Sequence, residues 1–177
     1  AGATPPAGRF EKFANRFGVT VRPWKPALGG YVLLCPPTVG LQTFYKILEH
    51  DWIRQTVDRL PAALRGRAKV RRKGDPGEAS DVVRGASLVV VHSSKVAFDA
   101  LATGVPAIAS EGIVAQWNGR TPEEAGEDLT KCDRMALFHY ASWCQFTYKE
   151  IESGLAWRAA LALQVGSPAF PVEALVR

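Results

Sequence analysis

Two hydroxyl side chains and two basic ones follow the most apolar stretch of the sequence. The uncharged, β-branched run Ser87-Leu-Val-Val-Val continues directly into His92-Ser-Ser-Lys. Such a run predicts a strand buried on both faces of a parallel sheet, and a helix is predicted over 94–103. At a junction of this kind, backbone N–H groups and the positive end of the helix point into one crevice. We therefore expect His92, Ser93 and Ser94 to bind an anion such as a phosphate.

Charged residues are predicted near the same crevice. Asp99 lies one turn into the helix among apolar neighbours, and a carboxylate there can accept two hydrogen bonds from the vicinal diol of a ribose. Arg71, Arg72 and Lys73 end the preceding predicted strand, so they are expected at the same edge as His92. Because side chains alternate along a strand, Arg71 and Arg72 should face opposite ways. We expect Arg71 and Lys73 to bind a diphosphate.

Each of these residues also has a purely structural interpretation, which the sequence leaves open. Ser93 or Ser94 could simply cap the helix, since serine is a common N-cap residue. Asp99 has the spacing to pair with Lys95 on the preceding turn. The basic run 71–73 could be a solvated charged surface.

The elements that must position these residues alternate between strands and helices. Short apolar runs bounded by turn residues predict strands near 31–35, 67–72, 87–91 and 105–109. Helices predicted between them make right-handed βαβ units. The predicted fold is α/β, with a Rossmann-like parallel sheet, flanking helices and a helical C-terminal third.

Helix predictions follow from apolar spacing and from capping residues. One amphipathic helix is predicted over 41–60, with Phe44, Leu48 and Trp52 on its apolar side, and a shorter one from Arg9 to Phe17. The capping sequences Thr121-Pro-Glu-Glu and Thr147-Tyr-Lys-Glu each predict a helix start.

The predicted organisation has three parts. An irregular lead-in occupies residues 1–30, the α/β core occupies 31–112, and a helical extension packed on that core occupies 113–177. The first residue is Ala rather than Met, so we expect a trimmed chain or a piece of a longer one.

Composition narrows the classes of function. The 177 residues are 47% hydrophobic and 22% charged, with a net charge of +5, which suits a globular domain that binds phosphorylated ligands or nucleic acid. No apolar run reaches the roughly 18–20 residues of a membrane span, and the start lacks the profile of a signal peptide. The sequence lacks the motifs of P-loop NTPases, dinucleotide dehydrogenases, zinc proteases and α/β-hydrolases. We expect a cytoplasmic protein whose three cysteines, Cys35, Cys132 and Cys144, are buried, reduced and free of metal.

The run from Ala86 to Ile108, with its Ser-rich loop, its Asp99-Ala pair and its Gly104-Val-Pro turn, resembles the donor-binding lobe of two-lobed, Rossmann-type glycosyltransferases. Capsule-polysaccharide and phage-type glycosyltransferases are similar too, with Val70-Arg-Arg-Lys-Gly matching the strand before the loop. The segment from Gln145 to Trp157 matches their C-terminal helical signature. The resemblance covers about residues 30–158, and the Gly-x-Pro turn also occurs in related sugar-nucleotide epimerases.

This resemblance implies a nucleotide-sugar donor as the substrate and no further cofactor. Ser93 and Ser94 would hold the donor diphosphate and Asp99 the ribose, with His92 and Lys73 adding charge. The catalytic base and the acceptor site, for a glycan or a DNA base, would come from a second lobe or a partner chain. The alternative is a non-catalytic Rossmann-like module that binds a phosphorylated ligand or a protein partner in a larger assembly.

Overall fold

The structure is a computed structural model, and it describes residues 8–25 and 29–165. Its centre is a four-stranded sheet in the order β2-β1-β3-β4, in which every neighbouring pair is parallel. The strands are β1 Tyr31–Cys35, β2 Ala68–Val70, β3 Ala86–Val91 and β4 Ala107–Ala109. With helices flanking this sheet, the predicted α/β, Rossmann-like fold is confirmed. A single bridge between Ile108 and Gly119 extends the sheet beyond β4.

The strands are connected by helices and loops. The α-helices are α1 Gly8–Phe17, α2 Val39–Tyr45, α3 Glu49–Arg59, α4 Ala62–Arg65, α5 Ala79–Gly85, α6 Lys95–Ala102, α7 Val114–Trp117, α8 Arg134–Ser142, α9 Tyr148–Glu152 and α10 Leu155–Val165. Two short 3₁₀ helices span Pro122–Gly126 and Leu129–Lys131. Within the described residues, no helix is both long and apolar enough to cross a membrane.

The chain divides into two compact units. Residues 20–25 and 29–133 form the sheet unit, and residues 8–19 together with 134–165 form the helical unit. In the helical unit, the rings of Phe10 on α1 and Phe138 on α8 stack with their centroids 5.2 Å apart. Both ends of the described chain therefore contribute to one small helical core.

The sheet is packed on both faces. Side chains alternate along a strand, so one face presents a set that packs with Trp52 of α3, namely Val32, Leu34, Leu88, Val90 and Ile108. Tyr31 belongs to the opposite face, where its hydroxyl donates to the carbonyl of Val82 on α5 at 2.5 Å. The buried strands explain why their sequences are continuous apolar runs rather than alternating ones.

The single helix predicted over 41–60 is wrong. The chain breaks at Lys46, which has the left-handed conformation φ 54° and ψ 41°, and α3 starts in a new direction after Leu48. The turn lets Trp52 reach the sheet, whereas Phe44 and Leu48 remain 77% and 58% exposed. Apolar spacing did not show the break because Ile47 and Leu48 continue the helical period across it.

The two capping predictions have different outcomes. Thr147 caps α9 as expected, with the Glu150 carboxylate accepting the Thr147 N–H at 2.7 Å. At Thr121 the Glu124 carboxylate also accepts the N–H of the capping residue, at 2.9 Å, but the helix is only a short 3₁₀ turn. The turn ends at Gly126, and Glu127 follows in an extended conformation.

The expectation of three buried thiols is wrong, although all three cysteines are free. Cys35 is buried at the end of β1, Cys132 is half-buried with its sulfur 3.4 Å from Asn118 Nδ2, and Cys144 is exposed. Burial raises the pKa of the Cys35 thiol to about 11, and the charge of Arg71 opposes this only in part. A protonated, buried thiol is unreactive, because the thiolate is the nucleophile.

Native protein treated with a chromogenic disulfide reagent should therefore react first at Cys144 and at Cys35 only after unfolding. The Cys144→Ser variant should lose the fast phase of the reaction and keep the slow ones. A fast phase that persists in this variant would contradict the exposure assigned to Cys144.

Candidate functional site

The strand order creates one crevice at the carboxyl edge of the sheet. From β1 the chain moves outward to β2, and then returns to the other side of β1 as β3. In doubly wound sheets, ligands bind at such a switch point, outside the carboxyl ends of the two strands. Cys35 and Val91 are register partners, so the two strands end level with each other. The crevice thus lies between the 36–38 turn with α2 and the 92–94 loop.

His92 is the first residue of the 92–94 loop and is only 6% exposed. Its Nδ1 atom is buried and has no hydrogen-bond partner in the described part of the chain. The ring lies against Tyr45 with centroids 4.7 Å apart, and the His92 carbonyl accepts the Glu111 N–H at 2.9 Å. Because buried polar atoms in proteins are nearly always hydrogen-bonded, we expect this nitrogen to have a partner outside the described residues, such as a ligand or a water.

The two serines next to His92 have different environments. Ser94 is the N-cap of α6, where its hydroxyl oxygen accepts the Val96 N–H at 3.2 Å, so its structural interpretation is confirmed. Ser93 is half-buried, and a Cβ added at Gly112 would lie 3.7 Å from its hydroxyl oxygen. No hydrogen bond among the described residues uses the N–H groups of Ser94 or Lys95. These N–H groups remain as donors at the positive end of α6.

Asp99 lies on the second turn of α6. Its carboxylate is 3.6 Å from the Lys95 ammonium, as the structural interpretation of this residue proposed. The pair is exposed, with 86% of the Lys95 side chain and 39% of the Asp99 side chain accessible, so its contribution to stability is small. The carboxylate therefore remains accessible to a ligand, and its role toward a ribose stays a prediction.

Two of the three basic residues that follow β2 already have hydrogen-bond or ion-pair partners nearby. The Arg71 guanidinium donates to three carbonyls of the 75–77 loop, at 2.6 to 3.3 Å. Arg72 instead pairs with Glu49 of α3 at 2.6 Å, so the two arginines do diverge as predicted. Lys73 is exposed. Arg71 holds the 75–77 loop that follows β2, and Lys73 is the more accessible cation of the two.

A second opening lies over β1 and β2, on the face of the sheet that packs with α5. This cleft of about 380 Å³ is bordered by Tyr31, Leu33, Lys69 and Arg71. Its cations already have partners, because the Lys69 ammonium lies 4.2 Å from the centre of the Tyr31 ring and Arg71 binds the loop carbonyls. We place the candidate site at the switch point, where donor groups and a buried nitrogen lack partners within the described residues.

Sequence reasoning missed two residues at this edge, Tyr45 and Glu111. Glu111 follows β4 by two positions, so the strand-end argument that found His92 also applies to it. Tyr45 had no such signal, because its contact with His92 depends on the break at Lys46. No group of three His, Cys, Asp or Glu residues in the described part of the chain is arranged to hold a metal ion.

The described residues thus define an α/β protein with a doubly wound parallel sheet, in which the junction between β3 and α6 lies at the switch point. No family model, curated protein or solved structure matches the chain.

Proposed function

We propose that the crevice binds the diphosphate of a nucleoside-diphosphate sugar and that the chain is the donor-binding lobe of a glycosyltransferase. Two observations carry this proposal: His92 Nδ1 is buried without a hydrogen-bond partner among the described residues, and the N–H groups of Ser94 and Lys95, two and three positions further along the chain, have none there either. Backbone N–H groups at a helix N-terminus bind phosphates well, since the positive end of the helix dipole adds to their hydrogen bonds.

The chemistry expected at this site is stabilisation of a leaving group. When the sugar is transferred, negative charge develops on the diphosphate, and donors already fixed in place stabilise that charge without reorganising. Ser93, Ser94 and His92 would supply hydroxyl and imidazole groups beside those N–H donors, and Lys73, which follows β2, would supply an ammonium group from the same edge of the sheet. Asp99 would accept hydrogen bonds from the ribose diol. The acceptor, a glycan or a DNA base, and the catalytic base would come from a second lobe or a partner chain.

Calorimetric titration with UDP and ADP tests this proposal. Asp99→Asn should weaken nucleoside-diphosphate binding by about 1–3 kcal/mol, the range for a hydrogen bond to a charged group. Because Asp99 is partly exposed and its only ion pair within the described residues is the exposed one with Lys95, folding should be nearly unchanged. Asp81→Asn is the matched control, since Asp81 forms a similar exposed pair with Arg84 on α5.

His92→Phe completes the experiment, because phenylalanine can keep the ring contact with Tyr45 and removes the unpartnered nitrogen. This variant should bind both nucleotides more weakly than the wild type. Absence of nucleotide binding to the wild type would eliminate the donor-site proposal and leave the non-catalytic Rossmann-like module. Equal binding by the wild type and Asp99→Asn would eliminate the ribose role of Asp99.

A further inference from the structure

Helix α2, which borders the crevice, presents apolar side chains to solvent. None of its seven residues is buried, and Val39 and Phe44 are 76% and 77% exposed. The helix ends at Lys46, whose left-handed conformation is unfavourable for a residue with a β-carbon. Burial in the core therefore does not explain why Phe44 and Tyr45 are aromatic.

These two aromatic residues form a continuous series of rings with His92. The centroids of Phe44 and Tyr45 are 5.0 Å apart and their planes nearly perpendicular, at 80°. Tyr45 in turn lies 4.7 Å from His92 at an interplanar angle of 56°. The series runs from a buried imidazole through a 42% exposed phenol to a 77% exposed phenyl ring. It thus connects the proposed anion site to an open aromatic surface.

We propose that the exposed ring of Phe44, supported by its edge-to-face contact with Tyr45, forms a stacking platform for the nucleobase of the bound nucleotide. The inference rests on the proposed function, because the anion site positions the diphosphate beside His92 and a nucleotide carries a planar ring on the same molecule. Exposed aromatic faces bind bases by stacking, an interaction on the order of 1–3 kcal/mol per base. The apolar exposure of α2 then has a functional reason, since the ligand covers it.

Stacking of this kind recognises the face of the base and not its hydrogen-bonding edge. Every nucleobase has a π-face, so a platform built from Phe44 and Tyr45 discriminates weakly among bases. We therefore infer that UDP and ADP bind with affinities within about tenfold of each other. The aromatic rings would supply affinity for the nucleoside, and the 92–95 junction would supply affinity for the diphosphate.

The test compares inorganic pyrophosphate with UDP and ADP on the full chain by calorimetry. Both nucleotides should bind the wild type at least about tenfold more tightly than pyrophosphate does. Phe44→Ala should reduce this ratio several-fold and leave pyrophosphate binding unchanged, whereas Phe44→Tyr should preserve it. Trp157→Ala is the matched control, because Trp157 is a similarly exposed aromatic residue, 71% accessible, on α10 of the helical unit.

The outcomes separate this inference from the proposed function. Equal affinity for pyrophosphate and nucleotides, or a ratio unchanged in Phe44→Ala, overturns the platform and leaves the diphosphate site in place. The inference is also overturned if the Phe44 ring strengthens the binding of a sugar monophosphate but not that of nucleotides, because the platform would then hold a sugar. If pyrophosphate, UDP and ADP all fail to bind, both the stacking platform and the proposed function are wrong. Circular dichroism of Phe44→Ala establishes that the variant is folded.

Discussion

Arg9→Ala is expected to lower the free energy of unfolding of the helical unit by about 2–4 kcal/mol. Arg9 on α1 forms a forked ion pair with Glu150, in which Nη2 lies 3.1 Å from Oε2, and its Nε donates to the Ser142 carbonyl at 2.6 Å. The guanidinium also stacks on Trp143 and Phe146, with its central carbon 5.2 and 4.8 Å from their ring centroids. Alanine removes all of these interactions and leaves the Glu150 carboxylate, whose side chain is 23% exposed, without its cation.

Chemical denaturation measures this loss, and two variants calibrate it. Arg9→Lys keeps the charge but not the planar fork, so it should recover only part of the stability. Arg16→Ala is the matched control on the same helix, since Arg16 is exposed and only covers Phe17; we expect a change within about 0.5 kcal/mol. If Arg9→Ala lowers the free energy of unfolding by less than about 1 kcal/mol, the contacts of Arg9 are not the main interaction between α1 and the 142–150 segment.

Because of the same ion pair, the free energy of unfolding should decrease as the pH falls. The hydrogen bonds from Arg9 lower the pKa of the Glu150 carboxyl from 4.5 to about 2. A carboxyl with a lowered folded-state pKa stabilises the fold above its unfolded pKa, and this contribution disappears as the pH falls toward the folded value. Between pH 5 and pH 2, the wild type should therefore lose more stability than Arg9→Ala, and the two curves should converge in acid.

Gly104→Ala is the second substitution with a large expected effect, about 2–4 kcal/mol in the sheet unit. Gly104 follows α6 with φ 82°, a conformation that costs energy for any residue with a β-carbon. A Cβ there would overlap the carbonyl oxygen of Pro23. Residues 22–25 are hydrogen-bonded to the end of α6. The Lys25 N–H donates to the Gly104 carbonyl at 2.8 Å, and the Arg22 N–H donates to the Ala102 carbonyl at 2.8 Å.

The control for this glycine is Gly66→Ala. Gly66 has φ −68°, and no atom lies within 4 Å of an added Cβ, so the variant should be as stable as the wild type or slightly more stable. Thermal unfolding of the two variants separates a general effect of alanine from the clash with Pro23. Equal midpoints for both would contradict the close approach of residues 22–25 to the end of α6.

The residues at the proposed anion site were predictable because their positions follow from local rules. Apolar runs with β-branched residues identify β1 and β3, and the residues that follow a parallel strand necessarily reach the carboxyl edge of the sheet. The caps at Ser94 and Thr147 were predictable for the same reason, since a cap is a contact between residues two or three positions apart.

Contacts between distant residues were decided only by the tertiary structure. The partners of Arg71 and Arg72 lie on different elements, and the sequence showed only that the two side chains diverge. The ion pair between Arg9 and Glu150 joins residues 141 positions apart, so no local spacing or motif in the sequence predicts it. The pairing that brings Tyr45 against His92 requires the chain to break at Lys46, and apolar spacing is continuous across that break.

By itself, then, the sequence determined where strands occur along the chain, that they are parallel, which side chains follow their ends and which residues cap the helices. Each of these depends on the conformational preferences of neighbouring residues. Only the tertiary structure decided how far Phe44 is exposed, which cations stay accessible and which buried nitrogen has no partner among the residues that the structure describes. The physical reason is that these properties depend on burial and on pairing between segments, and both are settled when the helices turn to cover the two faces of the sheet.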